Sequence, residues 1–309
     1  MKWWRTRIGR IFARTSFFEI PSRARPNLRE TTPLAKSLTS SSEMADRPVA
    51  FIDSGIGGLP YVAYTRKTAP DHRYIHVADC GNFPYGSKTP GEIVESTVSL
   101  AERLIEKENP ALIVVACNTM SVFALEILRS KFLIPFVGVV PAIKPAAALS
   151  KKRRVGILGT PRTVEGPYLQ ALIAKFADGC TVVGLSAQDL VGYIETELYR
   201  SSAEERRAKV RVEAERFRAH DVDAVVLACT HFLLLEEEFR LELGPEITIV
   251  DSREGVAKQV VRILGGRRDA NMGKGRDALF VTGDAPVDER YAYFAQSFDM
   301  ELKGILQAP

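Results

Sequence analysis

Two cysteines occupy matching places in the sequence, each at the end of an apolar run. Cys117 lies in "VVACNT" and Cys229 lies in "VLACTH". Small polar residues follow each thiol and favour a helix start, and the N-terminus of a helix lowers the pKa of a nearby thiol. We therefore expect two reactive thiols, with Asn118 or Thr119 capping the helix after Cys117. For either cysteine taken alone, a small buried and inert thiol is the alternative.

Two thiols on opposite sides of a bound ligand suit stereoinversion at a carbon acid. One thiolate removes a proton from one face of the carbon, and the opposite thiol delivers a proton to the other face. His231 follows Cys229 by two residues, so its imidazole can share the proton of that thiol. Cys229 and His231 offer only two metal ligands, so no metal site is predicted. Cys80 and Cys180 are predicted to be structural, with Cys180 opening a core strand.

The elements that must position these thiols alternate regularly from Pro48 onward. Apolar runs typical of strands occur at 49–53, 73–79, 111–117 and 135–140 and again at 154–160, 180–186, 223–230 and 247–252. Asp53 precedes Cys117 by 64 residues, and Thr160 precedes Cys229 by 69 residues. Because the order and spacing agree, we interpret the two series as halves of one repeat.

Near-continuous apolar strands separated by helices predict an α/β protein with parallel sheets. We predict two pseudo-symmetric, doubly wound parallel-sheet domains with the active site in the cleft between them. The first domain is predicted to comprise residues 48–140 and 251–309, and the second residues 141–250. A helical stretch, "REGVAKQVVRIL", is expected to return the chain to the first domain. Ligands bind at the carboxyl ends of such strands, where the cysteines lie.

Residues 1–47 are predicted to be a disordered or dispensable extension. Residues 1–43 hold nine basic and three acidic residues, whereas the rest of the chain holds 33 basic and 35 acidic residues. Three interpretations stay open: a flexible tail or a translation start at Met44, a transit peptide, and a regulatory extension. The nearly neutral body predicts no nucleic-acid partner. No apolar run approaches the roughly 18 residues of a membrane span.

Five motifs, taken together, resemble those of the glutamate racemases. They are "FIDSGIGGL", "PYG", "VVACNT", "GILGT" and "LACTHF", in this order. The resemblance covers residues 48–264 and extends to "LFVTGD" at 279–284. It implies membership of the cofactor-independent aspartate/glutamate racemase superfamily. The expected activity is interconversion of L- and D-glutamate without pyridoxal phosphate or any other cofactor, supplying D-glutamate for peptidoglycan. The resemblance also implies a bacterial cytoplasmic homodimer, and it leaves regulation by a cell-wall precursor open.

The resemblance assigns catalytic roles to five residues. Cys117 deprotonates the D enantiomer with help from Asp53, and Cys229 deprotonates the L enantiomer with help from His231 and Glu195. The expected substrate-binding residues are Asp53, Ser54, Tyr85, Gly86, Asn118, Thr119, Thr160, Thr163, Thr230 and His231. Tyr85 and Gly86 are expected to meet the side-chain carboxylate through their backbone N–H groups.

Some features leave alternatives open. Asp53 could cap only the following turn, and Glu195 could lie on a solvated helix face. Leu233 stands where the family commonly has proline, and "ADCGNF" departs from the family's common "ADT" form. Aspartate racemase or a related isomerase is the first alternative function. A non-catalytic two-domain solute-binding protein and a thiol-redox protein are further alternatives. A pyridoxal enzyme would need a lysine such as Lys144, which lies between prolines.

Overall fold

In the computed structural model, which describes residues 47–265 and 275–307, ten β-strands form two parallel sheets. The extension predicted at 1–47 lies outside the described residues except for Arg47. The first sheet holds six strands in the order β10-β9-β2-β1-β3-β4, and the second holds four in the order β6-β5-β7-β8. The predicted α/β class with parallel sheets is thus confirmed. The division into two domains at the stated residues stays a prediction.

The first sheet and its helices come from two separate parts of the chain. The first part comprises β1 (Val49–Asp53), α1 (Leu59–Thr68), β2 (Tyr74–Ala78), α2 (Pro90–Glu108), β3 (Leu112–Val115), α3 (Asn118–Lys131) and β4 (Phe136–Gly138). The second part comprises α10 (Arg253–Leu264), β9 (Ala278–Val281), α11 (Glu289–Ser297) and β10 (Glu301–Ile305). The helix expected over "REGVAKQVVRIL" is α10, and it packs against α1. Neither α11 nor β10 was predicted.

The second sheet lies between these two parts in sequence. Its elements are α4 (Ile143–Leu149), β5 (Arg154–Gly159), α5 (Pro161–Val164), α6 (Pro167–Phe176), β6 (Thr181–Ser186), α7 (Gln188–Thr196), α8 (Ala203–Ala219), β7 (Ala224–Leu227), α9 (Glu236–Leu243) and β8 (Thr248–Val250). Single turns of 3₁₀ helix occur at Ile56–Gly58, Cys80–Asn82, Tyr85–Ser87 and Leu198–Arg200, and a longer one spans Thr230–Leu235.

The internal repeat is visible in the strand order. The four strands β2-β1-β3-β4 of the first sheet follow the same order as β6-β5-β7-β8 of the second. The two thiols follow β3 and β7, the equivalent strands. All five residues of β1 and all four residues of β3 and β7 are buried, which explains their continuous apolar sequences.

Two local predictions are wrong. Cys180 does not open a core strand, because β6 is the edge strand of its sheet and is only partly buried. The segment after Cys229 does not enter an α-helix directly; it first forms the 3₁₀ turn Thr230–Leu235, in which Leu233 is buried. Within the part of the chain that the structure describes, no helix is long and apolar enough to cross a membrane.

Candidate active site

Loops at the carboxyl ends of strands in both sheets line one narrow pocket. It is lined by Ser54, Phe83, Pro84, Tyr85, Gly86, Cys117, Asn118, Thr119, Thr160, Thr163, Gln188, Val191, Ala228, Cys229, Thr230 and His231. These residues follow β1, β2, β3, β5, β6 and β7. Parallel strands bring their carboxyl ends to one edge of the sheet, which is the usual ligand site of such folds. The two thiols therefore share one pocket.

Cys117 occupies the N-cap position of α3, and its side chain makes no capping hydrogen bond. The expected cap by Asn118 or Thr119 is wrong, because both residues already lie inside the helix. Burial raises the pKa of the Cys117 thiol to about 12, and the charge of Asp53 adds to this effect. The nearby backbone N–H of Met120 opposes the shift without reversing it. The lowered pKa expected from the helix terminus is therefore wrong for Cys117.

Ser54 links Cys117 to Asp53. The Cys117 Sγ lies 3.8 Å from Ser54 Oγ, and Ser54 Oγ lies 3.2 Å from Asp53 Oδ1. Asp53 thus reaches the first thiol through a hydroxyl. The backbone N–H of Gly55 also donates to Asp53 Oδ1 at 3.1 Å, so Asp53 caps its turn as well. Asp53 therefore caps its turn and also contacts the Cys117 side of the pocket, and its role in catalysis stays a prediction.

A hydrogen bond joins Asp53 to the loop that carries the second thiol. Thr230 Oγ1 donates to Asp53 Oδ2 at 2.9 Å. Burial raises the pKa of Asp53, while the nearby His231 charge and the Thr230 hydroxyl oppose the rise. The carboxylate therefore contacts residues on both sides of the pocket.

Cys229 lies beside an imidazole that a carboxylate holds from the other side. His231 Nδ1 is 3.9 Å from Cys229 Sγ, and His231 Nε2 donates to Glu195 Oε2 at 2.9 Å. Burial alone would lower the pKa of His231, but its interactions with Cys229 and Glu195 raise that pKa well above 6.5. These interactions favour the protonated ring, and its Nδ1 faces the sulfur. Such a cation favours the thiolate form of a neighbouring cysteine.

Glu195 is buried rather than solvated, with 1% of the residue exposed. The backbone N–H of Ile56 donates to its Oε2 at 3.0 Å, and the Tyr291 hydroxyl donates to its Oε1 at 3.1 Å. Both carboxylate oxygens thus have donors, as a buried charge requires. The alternative of a surface glutamate on α7 is therefore wrong.

The glycines of "GIGG" let their loop approach these side chains. A Cβ on Gly55 would collide with the Glu195 carboxylate, and a Cβ on Gly57 would lie 2.6 Å from both His231 Nδ1 and Thr230 Oγ1. Any larger residue at these positions would displace the Glu195–His231 pair. The sequence pattern is thus explained by packing of the first loop against the second thiol's partners.

The "PYG" turn is held by a carboxylate that sequence reasoning missed. Asp79 is fully buried and accepts hydrogen bonds of 2.5 Å from the hydroxyls of Tyr85 and Thr282. Asn82 Nδ2 donates to the same carboxylate at 3.1 Å. The Tyr85 side chain therefore points to Asp79, which leaves the backbone of Tyr85 and Gly86 to line the pocket. Asp79 directly follows β2, in "HVAD", and this place at a strand end is the sequence signal that could have identified it.

The remaining predicted binding residues reach the pocket from two segments. Asn118 and Thr119 come from the start of α3, whereas Thr160 and Thr163 come from the loop after β5. The Asn118 Oδ1 atom is buried and has no hydrogen-bond partner among the described residues. It is thus available to a donor on a ligand.

Several pocket residues were missed from sequence. Gln188 lies at the first position of α7, near Gly86, and Phe83 packs against His231 with 6.0 Å between ring centroids. Gln188 and Val191 follow β6, and Tyr85 follows β2, the equivalent strand of the first sheet. This equivalence is the sequence signal that could have identified Gln188 and Val191. Cys80 and Cys180 do not line the pocket. In the described ranges, no three His, Cys, Asp or Glu side chains cluster as metal ligands.

These observations define an α/β protein with an internal repeat, whose equivalent strands each carry a thiol to a shared pocket. The model of the Asp/Glu/hydantoin racemase family matches residues 61–260. The chain belongs to this family. The resemblance found in the sequence is thereby confirmed.

The relatives in this family include glutamate racemases that align over most of the chain. The glutamate racemase of Treponema pallidum (strain Nichols) is 38% identical over 259 residues, which cover 83% of this chain and 96% of that protein. The glutamate racemase of Shewanella sp. (strain MR-4) is 41% identical over 218 residues, which cover 71% of this chain and 79% of that protein. The structure of Escherichia coli glutamate racemase with L-glutamate and the activator UDP-MurNAc-Ala superposes with a TM-score of 0.77 at 36% identity. The superposition covers 84% of this chain and 98% of the Escherichia coli chain.

Proposed function

We propose that the protein interconverts L-glutamate and D-glutamate by proton transfer between two thiols, without a cofactor. The observation that carries this proposal is the pair Cys117 and Cys229, which face one pocket from equivalent strands of two repeated halves. The relatives that act on glutamate support the substrate. The protein is further proposed to be a cytoplasmic enzyme that supplies D-glutamate for peptidoglycan.

In the proposed reaction, each thiol serves one face of the substrate. From L-glutamate, the Cys229 thiolate takes the Cα proton, and the electron pair of the broken C–H bond stays on Cα. The Cys117 thiol then donates its proton to the opposite face, which leaves D-glutamate, a Cys229 thiol and a Cys117 thiolate. The reverse direction exchanges the two roles. Solvent exchange of the thiol protons resets the enzyme after each turnover.

The partners of each thiol fit these roles. His231 Nδ1 faces Cys229 and can exchange a proton with its sulfur, and Glu195 holds the imidazole in place. Cys117 connects to Asp53 through Ser54, and burial keeps its thiol protonated, ready to donate. Conversely, a substrate ammonium bound beside Cys117 would lower the pKa of this thiol and allow it to act as the base on D-glutamate.

The polar groups around the thiols are proposed to bind glutamate at three points. The Asn118 Oδ1 atom, which has no partner among the described residues, would accept from the ammonium. The Thr119 hydroxyl and the Thr230 backbone N–H would donate to the α-carboxylate, which stabilises the negative charge that develops at Cα. The turn at Tyr85 and Gly86 would bind the side-chain carboxylate through backbone N–H groups, with Ser54, Thr160 and Thr163 completing the site.

The activity is tested directly with the purified full chain and no added pyridoxal phosphate. L-glutamate should lose its optical rotation completely, because the two enantiomers have equal free energy in water. L-aspartate should keep its rotation. In D2O, D-glutamate formed in the first turnovers should carry deuterium at Cα, while the remaining L-glutamate keeps protium. Inversion of aspartate with inert glutamate would show that the substrate proposal is wrong.

Serine variants test the two-thiol mechanism. Cys117→Ser and Cys229→Ser should each abolish turnover, since a serine hydroxyl is a far weaker acid than a thiol. Cys180→Ser is the matched control, because this thiol lies outside the pocket, and it should retain full activity. Unchanged racemisation by either pocket variant would rule out the mechanism.

Assembly and regulation are part of the proposal. A homodimer is expected, and sedimentation equilibrium of the full chain tests it. The Escherichia coli relative was solved with an activator, UDP-MurNAc-Ala, so a cell-wall precursor is proposed to regulate this chain too. Adding that compound to the glutamate assay should increase the rate, and an unchanged rate would contradict this part.

A further inference from the structure

Helix α11 lies beside the first sheet, whereas the Cys229 loop follows a strand of the second sheet. One side chain of α11 nevertheless points towards the catalytic pocket. This side chain is Tyr291, which is 3% exposed. Its hydroxyl donates to Glu195 Oε1 at 3.1 Å. From Glu195, hydrogen bonds continue to His231 and then to Cys229. We propose that Tyr291 is a positioning residue that orients Glu195 and, through it, the His231 partner of Cys229.

The geometry gives the hydroxyl a specific task. Glu195 Oε2 receives both the Ile56 N–H and His231 Nε2, whereas Oε1 receives the Tyr291 hydroxyl. By fixing Oε1, Tyr291 prevents the carboxylate from rotating about its Cγ–Cδ bond and keeps Oε2 directed at His231. His231 is thereby held with its Nδ1 towards the Cys229 sulfur.

The hydroxyl stays protonated, and so able to donate, at neutral pH. Burial raises the pKa of Tyr291 above its ordinary value, and the adjacent Glu195 charge raises it further. The titratable groups around this pair are Cys80 and Arg290 beside the tyrosine, and His231, Asp53 and His76 towards Glu195. Glu195 and Tyr291 are 96 residues apart in sequence, and Tyr291 itself does not line the pocket.

The inference rests on the proposed function, and kinetic isotope effects test it within that function. Tyr291→Phe removes only the hydroxyl. Because racemisation has an equilibrium constant of one, kcat/KM must fall equally in both directions, by about 10-fold for a hydrogen bond to a charged group. The step at Cys229 should become more rate-limiting. The deuterium isotope effect on kcat/KM should therefore rise for 2-deuterated L-glutamate and fall for 2-deuterated D-glutamate.

A matched control lies on the same helix. Tyr293→Phe also removes one hydroxyl, from a side chain that is 44% exposed, and should change neither kcat/KM nor the isotope effects. A fall in kcat/KM with both isotope effects unchanged would indicate general loosening and overturn the inference. So would unchanged kinetics in Tyr291→Phe. If the phenylalanine variant is not folded at the assay temperature, the measurements are made on both proteins at a lower temperature at which it is folded.

A second measurement needs no turnover. Alkylation of each cysteine by iodoacetamide is followed by mass spectrometry across a pH series, in the full chain without substrate. In Tyr291→Phe, the alkylation rate should shift to lower values at Cys229 and stay unchanged at Cys117. If wild type does not racemise glutamate but this shift occurs, the proposed function fails and the positioning role stands. If wild type racemises glutamate and neither the isotope effects nor the alkylation curve moves, only the positioning role fails.

Discussion

Thr230 donates a 2.9 Å hydrogen bond to Asp53, and this contact ties the loop of the second thiol to the end of β1 in the first sheet. Asp53 in turn connects to Cys117 through Ser54, so one carboxylate touches the surroundings of both thiols. The two halves of the proposed mechanism are therefore coupled through Asp53. A change at either end of this contact should affect proton transfer at both faces of the substrate.

Thr230→Val, which keeps the shape and removes the hydroxyl, tests this coupling. The buried Asp53 carboxylate loses a donor, which costs about 1–3 kcal/mol in the free energy of unfolding. Since Thr230 also lines the pocket, we expect kcat/KM for glutamate to fall as well. Urea unfolding and optical rotation measure the two effects. Thr196→Val is the control, because that exposed hydroxyl bonds only within α7; equal losses in the two variants would contradict the prediction.

The sequence was sufficient for the repeat and for the pocket residues that follow β1, β3, β5 and β7. These depend on local patterns, namely apolar strands that end in small polar residues. It could not identify Tyr291, because that contact depends on where a distant C-terminal helix packs. It also failed for the pKa of Cys117. The helix terminus is a local feature that favours a thiolate, but burial is a tertiary property and outweighs it here.

The raised pKa of Cys117 predicts how this thiol reacts without substrate. Because the folded-state pKa is about 12, the rate of Cys117 alkylation should keep increasing with pH up to at least pH 10. In urea, the same thiol should titrate near the ordinary value of about 8.5. Iodoacetamide labelling with mass spectrometry distinguishes the two states. A plateau below pH 8 in the folded protein would contradict the assignment of Cys117 as a protonated resting thiol.

Asp53→Asn is expected to separate stability from activity. Burial raises the pKa of Asp53 above 3.8, so the folded protein binds this proton more tightly than the unfolded chain does. The stabilisation from this group is complete below about pH 3.8 and is lost as pH rises through the raised value. At pH 7, the ionised carboxylate destabilises the fold, and asparagine should relieve this. We expect a higher free energy of unfolding at pH 7, a smaller gain near pH 4, and a loss of kcat/KM of at least about 100-fold.

Urea unfolding at the two pH values and the glutamate assay check this prediction. Asp189→Asn is the control, since Asp189 is exposed in the first turn of α7 and should change neither property. A less stable Asp53→Asn protein at pH 7 would mean that the hydrogen bonds of Asp53 outweigh the cost of burying its charge.

Gly86 and Gln188 meet where the side-chain carboxylate of glutamate is proposed to bind. A Cβ on Gly86 would lie 2.7 Å from the Gln188 Oε1 atom, which belongs to the end of a flexible side chain. Gly86→Ala should therefore displace Gln188 into the pocket and raise KM for glutamate by about 10-fold, equivalent to about 1.4 kcal/mol. Gln188→Ala removes the displaced group, so the double variant should recover part of the loss. The two effects should be non-additive because the residues are in contact.

Gly91→Ala, which meets no neighbour within 4 Å, should leave KM unchanged. Additive effects in the double-mutant cycle would show that Gly86 acts independently of Gln188, through its backbone alone.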